Sequence, residues 1–175
     1  MLPHHKILDI GCGSLRGGRF IIKYLNSECY YGLEKEAKLV AAAIEHTVPD
    51  DELDLDDFIL IQNGEFDLAG CPNFDFMLAH SVFNHCNQET IHQCFRKVLP
   101  YLKYTGNFFA TYIPSANNKI HMGGKHKWRT NEFGNCTYPF SFYQEIAKEY
   151  NLKVEDIGTG WETRDILKTM RFWTA

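Results

Sequence analysis

The sequence predicts a doubly wound α/β fold: a mostly parallel seven-stranded sheet with helices on both faces. Three observations carry this. Short apolar runs alternate with amphipathic stretches along the whole chain, the signature of a parallel sheet covered by helices. The first run empties into a glycine turn that opens a helix. The last two runs are separated by a polar segment and read as a closing strand pair.

Lys6-Ile7-Leu8-Asp9-Ile10 is a buried strand that stops at glycines, and a helix follows over about residues 17–25. Cys29–Leu33 is the second strand, closed by Glu34. Glu36–His46 is alanine-rich and helical, and Pro49 stops it. The acidic run Asp50–Asp57 is a surface connection. Phe58–Ile61 and Phe74–Ala79 give the third and fourth strands. Asn87, with Thr90 three residues on, caps the next helix. Its Ile91, Cys94, Phe95, Val98, Leu99 and Leu102 recur at the helical period and form a core-facing stripe. Pro100 falls inside that stripe and predicts a kink, and Thr105-Gly106 ends the helix. Asn107–Ile113 is the fifth strand. Residues 114–140 show no period and are rich in Gly, Asn, Lys and His. Ser141 caps a last helix through Tyr150, and Lys153–Ile157 with Met170–Thr174 form the closing pair. No repeat interrupts the chain, so residues 1–175 are expected to form a single domain.

With 175 residues, 45% hydrophobic and 23% charged, the composition is ordinary for a globular domain. The net charge of −4 argues against a general affinity for nucleic acid or anionic membrane. No apolar run approaches the ~18 residues of a membrane span, and the first six residues lack the pattern of a secretory leader. The cysteines at 12, 29, 71, 86, 94 and 136 contain no C-x-x-C pair and read as reduced thiols, so a cytoplasmic protein is expected. His80, His85, His92, Cys86 and Cys94 crowd together at spacings that match no structural zinc pattern, and no metal is expected.

The chemistry-bearing residues concentrate where strands end. Asp9-Ile10-Gly11-Cys12-Gly13-Ser14-Leu15-Arg16-Gly17-Gly18 leads a buried strand through a glycine turn to a helix mouth. Open parallel sheets bind ligands at this end, and glycines let backbone approach a ligand closely. Arg16 stands where the dinucleotide fingerprint needs glycine, and Asp9 would repel a diphosphate while attracting an ammonium group. Glu34, at the end of the second strand, is placed to accept two ribose hydroxyls. His80 and His85, at or just past the end of the fourth strand, titrate near neutrality and suit a general base; Tyr112, ending the fifth strand, is a further candidate. For each, a packing role is the competing reading.

In order and spacing these segments resemble the class I S-adenosylmethionine-dependent methyltransferases over nearly the whole chain. Asp9–Gly13 resembles their first motif, Glu34 their ribose-binding acid, Phe74–His85 their fourth-strand motif, and Leu99–Phe109 their helix-to-strand passage, with Lys103-Tyr104-Thr105-Gly106 as a departure. The resemblance implies that the last strand of the sheet is antiparallel, and it implies S-adenosylmethionine as cofactor. It implies that Asp9, Gly11 and Gly13, with Cys12 and Ser14 in the same turn, meet its amino-acid part, and that Arg16 lies near its carboxylate. Glu34 would take the ribose, Glu65 and Phe66 the adenine, and His80, Ser81 and Phe83 would lie near the sulfonium. Leu15 replaces the family's third turn glycine, so a longer turn is expected; Glu65 replaces the usual aspartate. Family members usually carry a helix or two before the first strand, which here begins near residue 6, so either the chain is a fragment or an open active-site face is expected.

The basic segment Asn117–Arg129 is either part of an acceptor pocket or a solvated loop. The expected reaction is methyl transfer to oxygen or nitrogen of a small-molecule acceptor, with neither membrane nor nucleic acid as partner. Two alternatives stand beside it. One is a non-catalytic cofactor-binding domain that works with a partner subunit. The other is a nicotinamide-dependent reductase, opposed by Asp9, Arg16 and the lack of a helical Tyr-x-x-x-Lys pair, since Tyr31 and Lys35 fall at a strand end.

Overall fold

A computed structural model describes residues 1–115, 119–121, 135–159 and 167–174. In chain order the elements are β1 (Ile7–Ile10), α1 (Gly18–Ile22), β2 (Tyr30–Glu34), α2 (Ala37–Ala42), α3 (Val48–Asp50), β3 (Phe58–Gln62), β4 (Phe74–Ala79), α4 (Gln88–Val98), β5 (Leu102–Tyr112), β6 (Lys119–His121), β7 (Asn135–Thr137), α5 (Phe140–Glu149), β8 (Leu152–Gly158) and β9 (Lys168–Thr174). Seven strands form one sheet in the order β3-β2-β1-β4-β5-β9-β8. β3, β2, β1, β4 and β5 run parallel, and β9 is antiparallel to both neighbours. The predicted fold class is thus observed. β6 and β7 add a separate antiparallel ribbon that the aperiodic sequence did not signal.

Two apolar clusters lie on opposite faces. On one, Leu8, Ile10, Met77, Phe108 and Phe172 of the sheet pack against Ile91, Cys94, Phe95 and Val98 of α4 and Phe142, Tyr143 and Ile146 of α5. The predicted cap is present, with the Asn87 side chain accepting from Thr90 N at 2.8 Å, and the stripe is present as far as Val98, while Leu99 and Leu102 lie beyond α4. On the other face, Leu15, Ile22, Ala43 and Val48 cover Tyr30 and Phe58. No residue of β4, β5, β8 or β9 joins this second cluster. There Phe76, Leu78, Phe109, Arg171 and Trp173 stay partly exposed, with the Phe76 and Phe109 rings stacked at 6.5 Å and Arg171 over Trp173 at 4.8 Å. Helical cover on this face therefore reaches only part of the sheet, among the described residues.

Four local expectations change. Pro49 does not stop the second helix; the chain passes through a π-turn over Ala43–Thr47 into α3, where Pro49 lies in the first turn and its missing N–H costs little. Pro100 does not kink α4 but ends it, inside a 3-10 turn over Leu99–Tyr101. Leu102–Gly106 is strand rather than helix: a Cβ on Gly106 would sit 2.7 Å from Leu102 Cδ1 and 3.0 Å from Asp75 O, so glycine lets β5 press against β4. Ser141 caps nothing, because α5 begins a step earlier at Phe140, after an extended Pro139.

Among the described residues no helix is long and apolar enough to cross a membrane, and no group of three or more His, Cys, Asp or Glu is placed to hold a metal. All six cysteines are free thiols. Most of the basic segment Asn117–Arg129 lies outside the described residues.

Candidate active site

The site is built at the carboxyl ends of β1, β2, β4 and β5. β1 gives way to a turn in which alternate residues, Gly11 (φ 69°), Gly13 (φ 58°) and Leu15 (φ 61°), adopt the left-handed conformation. Leu15 holds it without being glycine, and its fully buried side chain packs under α1. That burial offsets a strain of about 1–3 kcal/mol, and the turn runs on through Gly17 before α1 begins at Gly18. Gly11 N and Cys12 N both donate to Leu33 O, at 2.7 and 3.2 Å, which ties the turn to β2. At Gly13 a Cβ would meet nothing within 4 Å, so that side of the turn is open to a ligand.

Glu34, only 7% exposed, turns its carboxylate back onto this loop. Its Oε2 accepts from Gly13 N at 3.0 Å and its Oε1 from Glu36 N at 2.9 Å. Asp9, 6% exposed, accepts from the Tyr30 hydroxyl at 2.5 Å. Burial pushes its carboxyl up to about 6; the Tyr30 hydrogen bond opposes this and the nearby Glu34 adds to it. The Cys12 thiol is pushed far above its ordinary value by burial and by the Asp9 and Glu34 charges, so it is no nucleophile. Ser14 is held through its carbonyl, which accepts from Thr47 Oγ1 at 2.7 Å, while Arg16 is exposed.

After β3, Asn63 Oδ1 accepts from Glu65 N and Asp67 N, at 3.2 and 3.1 Å, and Phe66 sits at φ 55°. Glu65 is exposed and accepts from Gln93 Nε2 of α4 at 2.9 Å. Gly64 lies against Lys35 Cβ (3.7 Å from its own Cβ position), which brings the ends of β2 and β3 together.

At the end of β4, His80 is partly exposed and Ser81 takes φ 58°. Ser81 N donates to Thr111 Oγ1 at 2.7 Å. Val82 then packs on the β1 turn: a Cβ on Gly11 would lie 2.7 Å from Val82 Cγ2. Phe83 is different from its expected place. Its ring is fully buried against Phe95, Phe108 and Tyr143, and only its backbone stands at the strand end. Asn84 Nδ2 and His85 Nε2 are 3.0 Å apart, and Asn84 Oδ1 is buried without a partner. Tyr112 is 1% exposed; its hydroxyl donates to Asp156 Oδ2 at 2.9 Å, and burial with that carboxylate raises its pKa well above the ordinary value. A tyrosine so held donates its proton locally and is a poor base.

The fold thus gathers Asp9, Gly11, Cys12, Gly13 and Glu34 into one cluster and joins His80 and Ser81 to it through Val82. Tyr112 and the ring of Phe83 belong to the packed interior. Tyr30, Val82, Asn84 and Thr111 were not singled out by the sequence. Only the β-strand placement of Tyr30 and Thr111 hinted at inward side chains; no motif marked them.

The strand order, the glycine turn after β1 and the acid ending β2 together define the fold of the class I S-adenosylmethionine-dependent methyltransferases. No family model and no curated protein matches the sequence. Among solved structures, the chain is similar to the glycopeptide N-methyltransferase MtfA complexed with S-adenosyl-L-methionine, at TM-score 0.74 and 13% identity, over 98% of this chain and 87% of that one. It is similar to magnesium protoporphyrin IX methyltransferase (ChlM) from Synechocystis PCC 6803 with bound S-adenosylmethionine, at TM-score 0.73 and 11% identity, over 99% and 71%. A S-adenosylmethionine-dependent methyltransferase from Clostridium acetobutylicum ATCC 824 aligns at TM-score 0.73 and 13% identity, over 97% and 84%. At such identities the likeness is one of fold.

Proposed function

We propose that the chain is a methyltransferase that takes a methyl group from S-adenosylmethionine to an oxygen or nitrogen of a small-molecule acceptor. The observation that carries this is the Gly11–Gly13 turn, open on one side at Gly13, with the Glu34 carboxylate fixed against it. The donor set fits a nucleoside amino acid. Glu34 is fixed by two backbone N–H groups, and in this reading the remaining lone pairs of its carboxylate accept the ribose hydroxyls. The Asp9 charge behind the turn favours an ammonium, and the exposed Arg16 lies within the same loop for a carboxylate. Glu65 and Phe66, after β3, take the adenine end.

When bound, the cofactor supplies a methyl group activated on sulfonium. The protein has little covalent work to do; it aligns donor and acceptor, excludes water and, where the acceptor needs it, takes a proton. Ser81 and His80 at the β4 end bound the methyl side. His80 and His85 are the candidate bases, since Tyr112 is engaged with Asp156.

Calorimetry with S-adenosylmethionine, S-adenosylhomocysteine and NADH, without added metal, tests the reading. Binding of both sulfur ligands is expected. Binding of NADH alone would overturn it. Transfer of a labelled methyl group to amine and phenol acceptors separates an enzyme from a binding domain.

A further inference from the structure

Ser81 is one of the few non-glycine residues in the left-handed conformation among the described residues, and it stands just past the end of β4, next to the Val82 that packs on the β1 turn. Such a φ is uncommon for a serine and carries a conformational cost. Here its N–H is captured by the hydroxyl of Thr111, on the neighbouring strand, at 2.7 Å. Thr111 is 3% exposed and pairs with Thr169 in the β5–β9 ladder, so its backbone is fixed from behind. Its hydroxyl oxygen is thereby presented to Ser81 N from a fixed strand. The consequence falls on the next residue. Val82 lies so close to Gly11 that any Cβ there would approach within 2.7 Å of Val82 Cγ2. Gly11 opens the turn whose Gly13 N–H is bound by Glu34. An unbroken line of contacts therefore runs from Thr111 through Ser81 and Val82 to Gly11, Gly13 and Glu34.

We propose that Thr111 is a positioning residue that locks the β4 turn onto the β1 turn and so sets the cofactor site against the acceptor edge. The inference rests on the methyltransferase reading. Without the Thr111 acceptor, Ser81 loses what holds it at positive φ, Val82 withdraws from Gly11, and the cradle opposite Glu34 loosens.

The test uses Thr111→Val, which keeps the shape and removes the hydroxyl, and Thr111→Ser, which restores it. S-adenosylhomocysteine affinity is measured by calorimetry, and exchange of the Ser81 amide hydrogen without ligand. Thr111→Val is expected to bind roughly tenfold more weakly and to exchange the Ser81 amide faster; Thr111→Ser should stay close to wild type on both. A residue that merely stabilised the fold would lower the melting temperature and leave affinity unchanged. Val82→Ala, made separately, should also weaken binding, and in the double variant with Thr111→Val the losses should be less than additive. If Thr111→Val does not fold, the Val82→Ala and Thr111→Ser pair decides the matter: wild-type affinity in Val82→Ala overturns the proposal. Wild-type affinity in Thr111→Val does the same while leaving the functional reading intact. If the wild-type protein binds no sulfur ligand, the functional reading fails first and this inference falls with it.

Discussion

Replacing Asp9 by Asn should abolish a pH dependence of stability that this one carboxyl imposes. The folded protein holds the Asp9 proton up to about pH 6, whereas the ordinary value is 3.8, because the group is buried and faces Glu34. Between those values the folded state binds more protons than the unfolded chain, so stability falls as pH rises through the window. At about 1.4 kcal/mol per pH unit, the loss reaches roughly 3 kcal/mol by neutrality. Asparagine preserves the shape, and its Oδ1 still accepts from the Tyr30 hydroxyl. The variant should therefore match the wild type near pH 4 and exceed it by up to about 3 kcal/mol near pH 7. Asp51, Asp75 and Asp156 have lowered pKa values and pull the other way, but they are common to both proteins and cancel in the difference. Urea unfolding across the range measures it. A difference between variant and wild type that stays flat with pH would refute the reasoning. The same variant should bind S-adenosylhomocysteine more weakly above pH 6, since the charge that favours its ammonium is gone.

Glu34→Ala should weaken S-adenosylhomocysteine binding by about 1.5–3 kcal/mol through lost charge-assisted hydrogen bonds, read by calorimetry; undiminished affinity would exclude the ribose role. Some of that loss comes through Gly13 N–H, which the carboxylate now holds. Phe95→Ala should cost about 3–5 kcal/mol of stability in denaturant, because the ring sits among Phe83, Phe108, Tyr150 and Phe172 at centroid distances of 5.8, 5.2, 6.2 and 4.9 Å.

Much of the fold was legible locally. The β4 run Phe74–Ala79 matches its expected bounds, because an apolar segment bounded by polar residues has few other fates. The Asn87 cap and the α4 stripe were readable for the same reason: helix capping and periodicity are encoded within one or two turns. The misread segments share a cause. Leu102 continues the α4 period, yet Gly106 allows a close approach to Asp75 that makes strand the better state. Pro49 ends a helix by local rules, and a π-turn evades the rule.

By itself the sequence determined the succession of the seven sheet strands, the glycine turn after the first strand, and the acids Asp9 and Glu34 on the first two strands, since each is written in neighbouring residues. Only the tertiary structure decided that Tyr30 claims Asp9, that Gly13 claims Glu34, and that Thr111 fixes Ser81 while Val82 seals Gly11. These partners sit on different strands or on the turns that follow them, far apart along the chain. Which of them meet depends on placing β2 and β4 on either side of β1 and β5 beside β4, a choice made by packing the whole sheet rather than by any one segment.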